Sequence, residues 1–180
     1  PYREDGRPVS LPPDFFSTDA YTDKLMGYAA EARASDRPFF MYAAYTAPHW
    51  PLHVPDEWLD RYRGVYDEGW DVLRERRGGG ATSGPWSAPA WRTLPPEERR
   101  REARKMEVYA AMVENLDHNI GRLLDALRAS GQLENTVVLF FSDNGPEGND
   151  IERLAKTARW PEGALDHRFE SIGRRGTYTW

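Results

Sequence analysis

The chain has 180 residues, of which 39% are hydrophobic, and a net charge of -5. This is enough sequence for one domain with a hydrophobic core. The charge balance argues against nucleic-acid binding, and no apolar stretch approaches the roughly 18 residues that a membrane-spanning helix needs. The absence of cysteine excludes disulfides and thiolate metal sites.

The first predicted elements are a helix and a buried strand. Ser17, Thr18 or Asp19 can cap a helix over residues 17–35, where apolar side chains recur at helical spacing. Residues 38–45, PFFMYAAY, are apolar on both faces. That pattern is typical of a strand in a parallel sheet that helices cover on both sides.

Two short helices and a loop are predicted next. The helices are DEWLDRYR, residues 56–63, and DEGWDVLRERR, residues 67–77. Residues 78–96 are rich in Gly, Ser and Pro and leave little to bury, which predicts a surface loop or insertion within one domain. A domain boundary at this segment is the alternative, but neither side of it carries a complete sheet.

The longest predicted element is a helix from Pro96 to about Ser130. Its apolar residues recur in steps of three and four, at Met106, Tyr109, Val113, Leu116, Ile120, Leu123 and Leu127. Gly131 is expected to end the helix as a C-cap. A coiled coil is the alternative, but a core helix lying on a sheet explains so short a stripe better.

A second buried strand is predicted at residues 137–141, and SDNG follows it at once. The chain therefore runs twice from a helix through an apolar strand to a polar end, as in an α/β sheet. Ligands gather at the carboxyl ends of the strands in such sheets. His49 lies after one strand, and Asp143 and Asn144 lie after the other.

The three polar residues have both a chemical and a purely structural interpretation. Asp143 and Asn144 offer hard oxygen donors that suit Ca²⁺ or Mg²⁺, although calcium takes about six to eight ligands. Asp-Asn-Gly is also strong turn chemistry. His49, between two prolines, is either aimed into a site or simply packed, and residue patterns alone leave these alternatives open.

Three segments in this order resemble the sulfatase family, and bacterial arylsulfatases in particular. They are PFFMYAAYTAPHWPLHVP, MEVYAAMVENLDHNIGRLLDAL and NTVVLFFSDNGPEG, within a match over most of residues 15–148. The resemblance implies an alkaline-phosphatase-like α/β fold with a mixed sheet flanked by helices. It also implies hydrolysis of small-molecule sulfate esters, with Ca²⁺ (or Mg²⁺) bound next to the sulfate.

The resemblance also implies roles for single residues. By position, Asp143 and Asn144 match the second pair of metal ligands. His49 matches the histidine that hydrogen-bonds the sulfate near the leaving oxygen. The final IGRRGTYTW weakly resembles the approach to a substrate-side loop. Arg174 and Arg175 could attract an anionic ester there, although a solvated surface position is the simpler interpretation.

Several parts of the family pattern have no match in this sequence, among them the paired aspartates that supply the first metal ligands and the nucleophile. The family's nucleophile is a formylglycine made from Cys or Ser in a Cys/Ser-x-Pro-x-Arg motif, which the resemblance puts upstream. Residues 1–180 are therefore interpreted as an internal part of a sulfatase catalytic domain, inactive by itself. The alternatives are a phosphonate or phosphate monoester hydrolase of the same superfamily and a non-catalytic relative.

Overall fold

A computed structural model of the chain describes residues 2–79, 89–145 and 168–174. Contacts between Cα atoms divide the chain into two compact units. Unit 1 comprises residues 1–46 and 116–141, and unit 2 comprises residues 47–115 and 142–180.

The described residues contain three α-helices, which are α1 (Ser17–Ala34), α2 (Gly69–Arg76) and α3 (Pro96–Ala129). Each lies where the sequence pattern predicts a helix. The fourth predicted helix, over residues 56–63, is wrong, since this segment forms a series of turns. None of the described helices has the length and apolar character needed to cross a membrane.

Helix α1 begins without the side-chain cap predicted for it. Its N-cap is Phe16 in an extended conformation, and no side chain caps the first turn. The fully buried positions include Thr18 and Thr22. The Thr22 hydroxyl donates to the Thr18 carbonyl and lies 2.8 Å from the Tyr45 hydroxyl, whereas the Thr18 hydroxyl has no hydrogen-bond partner among the described residues. Hydrogen bonds within unit 1 thus let the polar side chain of Thr22 occupy a buried position on α1, where an apolar side chain is the usual expectation.

The end of α3 is as predicted. Gly131 has a φ of +72°, which a residue without a Cβ adopts freely. Its N–H donates to the Arg128 carbonyl at 3.0 Å, and the Gln132 N–H donates to the Leu127 carbonyl at 2.9 Å. These two bonds form a Schellman motif, so the predicted C-cap is confirmed.

The buried face of α3 differs from the predicted apolar stripe. Tyr109 and Val113, both in that stripe, are exposed. The buried face instead includes four polar residues, which are Arg104, Glu107, Asn115 and Asn119. Such residues can be buried because they have partners: for example, the Asn119 side-chain amide donates to Asp19 within unit 1.

The described residues contain one sheet, a hairpin of β1 (Arg3–Glu4) and β2 (Arg7–Pro8) around an Asp-Gly turn. The expected strands over residues 38–45 and 137–141 are not formed in this part of the chain. Phe40 is 94% exposed and Val137 is 87% exposed. A strand persists by pairing its backbone with a neighbouring strand, and the described residues provide no partner for either segment.

Unit 2 contains two hydrophobic clusters of described residues. Core cluster A consists of Leu52, Val54, Leu59, Val108, Ala111, Met112 and Ile172. The second cluster consists of Tyr66, Trp91, Leu94 and Ala103. Trp91 and Leu94 belong to the predicted loop 78–96, so the end of that segment is packed. Residues 80–88 of the loop lie outside the described residues.

Candidate functional site

The residues that carry His49, numbers 47–55 and here named the His49 loop, are held by unit 2 at both ends. Ala47 packs against core cluster A on one side of the histidine. Leu52 and Val54 belong to that cluster on the other side. His49 therefore lies on a short turn whose two ends meet the same hydrophobic core.

The His49 ring is exposed and is oriented by its neighbour. Its Nδ1 lies 2.7 Å from the Trp50 carbonyl oxygen, and the two rings are 5.3 Å apart between centroids. A carbonyl oxygen can only accept, so the proton of this bond must be on Nδ1. Nε2 is then the nitrogen available to another molecule. It accepts when the ring is neutral and donates only when the ring is a cation.

A buried ion pair, which the sequence patterns did not single out, holds the turns that follow the His49 loop. Arg104 and Glu107 of α3 are 4% and 3% exposed, and Arg104 Nη1 donates to Glu107 Oε2 at 2.7 Å. The Gly64 N–H donates to the other Glu107 oxygen at 2.7 Å, and Arg104 Nη2 donates to Asp60 at 2.9 Å. The only sequence signal was an opposite-charge pair at helical spacing.

Aromatic groups border the same region of unit 2. Tyr62 packs against core cluster A, and burial raises the pKa of its phenol, which the nearby Glu114 carboxylate raises further. The Arg61 guanidinium lies 4.1 Å from the centroid of the Trp58 ring. These contacts are structural, since none of them involves the His49 ring.

Asp143 and Asn144 lie on an exposed turn that is held by local hydrogen bonds. The Asn144 side-chain amide donates to Asp143 Oδ2 at 2.8 Å, and the Ser142 hydroxyl donates to the Asn144 carbonyl at 2.6 Å. A carboxylate beside an amide is a donor set that suits Ca²⁺ or Mg²⁺. The two side chains therefore fit part of such a site, although they are too few to complete it.

His49 does not meet this pair in the described part of the chain. No hydrogen bond, ion pair or ring contact joins His49 to Asp143 or Asn144 over residues 2–79, 89–145 and 168–174. Across the same ranges, no three His, Asp or Glu side chains form a group that could hold a metal ion. The roles that the resemblance gives to these three residues remain predictions.

The predicted anion-attracting arginines are described only in part. Arg174 is exposed, its Nε donates to the Glu170 carbonyl at 3.0 Å, and its Nη1 lies 3.8 Å from Asp56. These contacts agree with a solvated surface position. Arg175 lies outside the described residues.

Comparisons with known proteins identify the family. The family model described as Sulfatase matches residues 2–167. An uncharacterized sulfatase of Schizosaccharomyces pombe is 40% identical over 181 residues, covering 93% of this chain and 32% of the relative. An arylsulfatase of Klebsiella aerogenes is 34% identical over 189 residues, covering 98% of this chain and 40% of the relative.

These relatives are longer than the chain, which spans about a third of their length. The activity of the full-length protein is therefore stated below as a proposal. The family itself rests on a match to 166 consecutive positions, from residue 2 to residue 167, and implies the alkaline-phosphatase-like α/β fold that the sequence predicts. The chain belongs to the sulfatase family.

Proposed function

We propose that the full-length protein hydrolyses small-molecule sulfate esters, with aryl sulfates as the first substrate class to test. His49 is the catalytic residue that this chain contributes. Asp143 and Asn144 contribute two oxygen ligands to a divalent cation, Ca²⁺ or Mg²⁺. Family membership supports the reaction class, and the arylsulfatase of Klebsiella aerogenes supports the substrate class.

The 2.7 Å hydrogen bond between His49 Nδ1 and the Trp50 carbonyl is the observation that supports the catalytic role of His49. This bond fixes the ring so that Nε2 is the nitrogen available to a substrate. The exposed ring, next to core-packed residues on both sides, gives an ester access to Nε2 without requiring the core to open. A positioned and accessible histidine is what acid catalysis needs.

The chemical step assigned to His49 is proton donation to the leaving oxygen. As the bond between sulfur and the bridging oxygen breaks, negative charge develops on that oxygen. The Nε2–H of the cationic ring transfers its proton there, and an alcohol or phenol leaves. A neutral ring bonded to Trp50 through Nδ1–H has no proton on Nε2 to give, so only the cationic ring can assist this step.

The proposed reaction also requires a divalent cation and a nucleophile. A cation held in part by Asp143 and Asn144 would offset negative charge on the non-bridging oxygens of the sulfate. Attack on sulfur requires a nucleophile that is absent from these 180 residues. We assign it to a formylglycine elsewhere in the full-length protein. The mixed sheet flanked by helices, with residues 78–96 as a surface insertion, is part of the same proposal.

Steady-state kinetics of the full-length protein on aryl sulfates test the proposal. His49→Ala should lower kcat by about 10²–10³-fold for esters with poor leaving groups, because a donor to developing charge is lost. The loss should be smaller for good leaving groups, which need little protonation. His118→Ala is the matched control, since that exposed histidine lies on α3.

Three results would contradict all or part of the proposal. A strong preference for phosphonate or phosphate monoesters would assign the protein to another hydrolase class of the superfamily. The absence of turnover with any sulfate ester, with cation supplied and the nucleophile intact, would indicate a non-catalytic relative. An equal loss for good and poor leaving groups would remove His49 from proton donation and leave it as a sulfate-binding residue.

A further inference from the structure

A short segment near the end of the described chain, residues 168–174 and here named the C-terminal segment, pairs with the His49 loop. The Val54 N–H donates to the Gly173 carbonyl at 3.2 Å. His53 and Gly173 form an isolated parallel bridge. The backbone directly after the His49 turn is therefore held by residues more than a hundred positions away in the sequence.

The C-terminal segment is itself firmly packed. Ile172 is 1% exposed and belongs to core cluster A, together with Leu52 and Val54 of the His49 loop. Phe169 packs against the same cluster, and the Arg100 guanidinium of α3 lies 4.9 Å from the centroid of its ring. The C-terminal segment is therefore part of the packed core of unit 2.

Gly173 is the point of closest approach. Its φ is +84°, which a residue with a side chain adopts only with strain. A Cβ added there would lie 2.6 Å from Leu59 Cδ1 and 2.6 Å from Val108 Cγ2. A side chain at this position forces either these two buried side chains or the Gly173 backbone to shift, and a backbone shift moves the carbonyl that holds Val54.

The path from Gly173 to His49 is short and stiff. Leu52 and Val54 are buried, and Pro51 fixes one backbone φ angle between them and the histidine. The described contacts of the His49 ring are with its neighbour Trp50. Among the described residues, the position of the ring is therefore set by the backbone anchors of the loop and by the bond to Trp50.

We propose that Gly173 is a positioning residue for His49. It acts by letting the C-terminal segment approach cluster A closely enough to hold Val54, and through it the His49 turn. This inference rests on the proposed function, because it assigns Gly173 to the leaving-group step. It predicts that damage at Gly173 reproduces the kinetic signature of His49 loss rather than a general loss of active protein.

The test compares four forms of the full-length protein on a series of aryl sulfates with good and poor leaving groups. They are the unmodified protein, His49→Ala, Gly173→Ala and the double variant. Gly173→Ala should lower kcat by about 10²-fold for the poorest leaving group, since a misplacement of about 1 Å can cost that much. The loss should shrink for good leaving groups, and the double variant should be no worse than His49→Ala.

Gly78→Ala is the matched control. Gly78 also has a positive φ, +72°, but a Cβ there would meet nothing within 4 Å. This variant should keep the leaving-group dependence of the unmodified protein. If Gly173→Ala does not fold, Ile172→Val takes its place in the test, because it trims one carbon from the same segment and is a milder change. It should then show the same graded loss in weaker form.

The inference is overturned if Gly173→Ala, or Ile172→Val in its place, lowers kcat equally for all leaving groups or not at all. It is also overturned if the double variant loses the product of the two single losses. Failure of the proposed function looks different. In that case the unmodified protein does not hydrolyse aryl sulfates, or His49→Ala itself has no graded effect, and the positioning role falls with it.

Discussion

The His49 loop and residues 137–145 have the same sequence plan and different structures. The His49 loop comes after the apolar run 38–45, and residues 137–145 begin with the apolar run 137–141. Each run predicts a buried strand, and polar residues come after it. The His49 loop has both ends in core cluster A and a backbone bond to a distant segment. Residues 137–141 expose their apolar side chains, and the hydrogen bonds that the described residues give the next turn, 142–145, lie within the turn.

The two regions differ in whether the described residues provide partners for their apolar side chains. The His49 loop finds apolar partners on the part of α3 before residue 116 and on the C-terminal segment, both within unit 2. The apolar run before SDNG needs strand neighbours, and the described residues include none. Burial of apolar side chains is what stabilises a segment, so a similar sequence plan gives a fixed loop in one place and an exposed apolar segment in the other.

The largest expected effect concerns the ion pair that holds the turns after the His49 loop. Glu107→Ala leaves the Arg104 guanidinium buried with one carboxylate fewer, which typically costs about 3–5 kcal/mol of unfolding free energy. The Gly64 N–H loses its acceptor as well. Urea unfolding followed by tryptophan fluorescence measures the loss in a chain with seven tryptophans.

Glu114→Ala is the control for this prediction. Glu114 pairs with Arg61 at 2.5 Å, and their side chains are 35% and 47% exposed, against 4% for the Glu107 side chain. Removing an exposed pair of this kind costs about 0–1 kcal/mol. Equal losses for Glu107→Ala and Glu114→Ala would show that the buried pair does not hold the turns.

The second prediction compares an apolar side chain that packs against the His49 loop with one from residues 137–141. Ile172→Ala should cost about 2–5 kcal/mol, because the side chain is fully buried in core cluster A. Leu139→Ala should change the unfolding free energy of this chain by no more than about 0.5 kcal/mol, since Leu139 is exposed. Similar losses for both variants, measured by urea unfolding, would break the comparison between the two regions.

Sequence patterns predicted the helices well because helix signals are local. The bounds of α1 and α3 follow from apolar spacing and, at the end of α3, from Gly131. The buried face of α3 could not be predicted from apolar residues alone. Arg104 and Glu107 are buried because each finds the other and Gly64 or Asp60, and those partners are known only once the chain is folded.

The candidate site was predicted as a set of residue types rather than as a geometry. The prolines around His49 indicated a fixed turn, and the turn is present. Nothing in the sequence indicated that Gly173 would hold the residues after it, because the pairing joins distant positions. The bond from His49 Nδ1 to the Trp50 carbonyl is also a matter of backbone geometry, which residue spacing does not give.

The third prediction tests the SDNG turn as a cation site in the full-length protein. Asn144→Ala removes one oxygen ligand and should weaken Ca²⁺ binding about tenfold, with activity restored in excess Ca²⁺. Asn144→Asp should instead tighten the cation and lower kcat/KM for aryl sulfates, because added negative charge weakens the pull on sulfate oxygens. Metal analysis and kinetics on both variants measure these effects.

Ser142→Ala is the control for the cation site. The Ser142 hydroxyl bonds to the Asn144 backbone carbonyl at 2.6 Å, so this variant perturbs the turn without removing a predicted ligand side chain. It should leave the cation affinity within about twofold, an effect of roughly 0.4 kcal/mol. If the two Asn144 variants also leave metal content and rate unchanged, SDNG is only a turn and the cation lies elsewhere.

The smallest effect on stability is expected at Phe140. Its ring is exposed, so Phe140→Ser should change the unfolding free energy of this chain by no more than about 0.5 kcal/mol. The same change should reduce self-association in light scattering, because an exposed apolar strand sequence is an association site. In the full-length protein the proposed mixed sheet would bury the ring, and the cost should rise to about 3–5 kcal/mol. An equally small cost there would contradict a strand at residues 137–141, whereas a large cost in both proteins would mean that these residues pack within the chain itself.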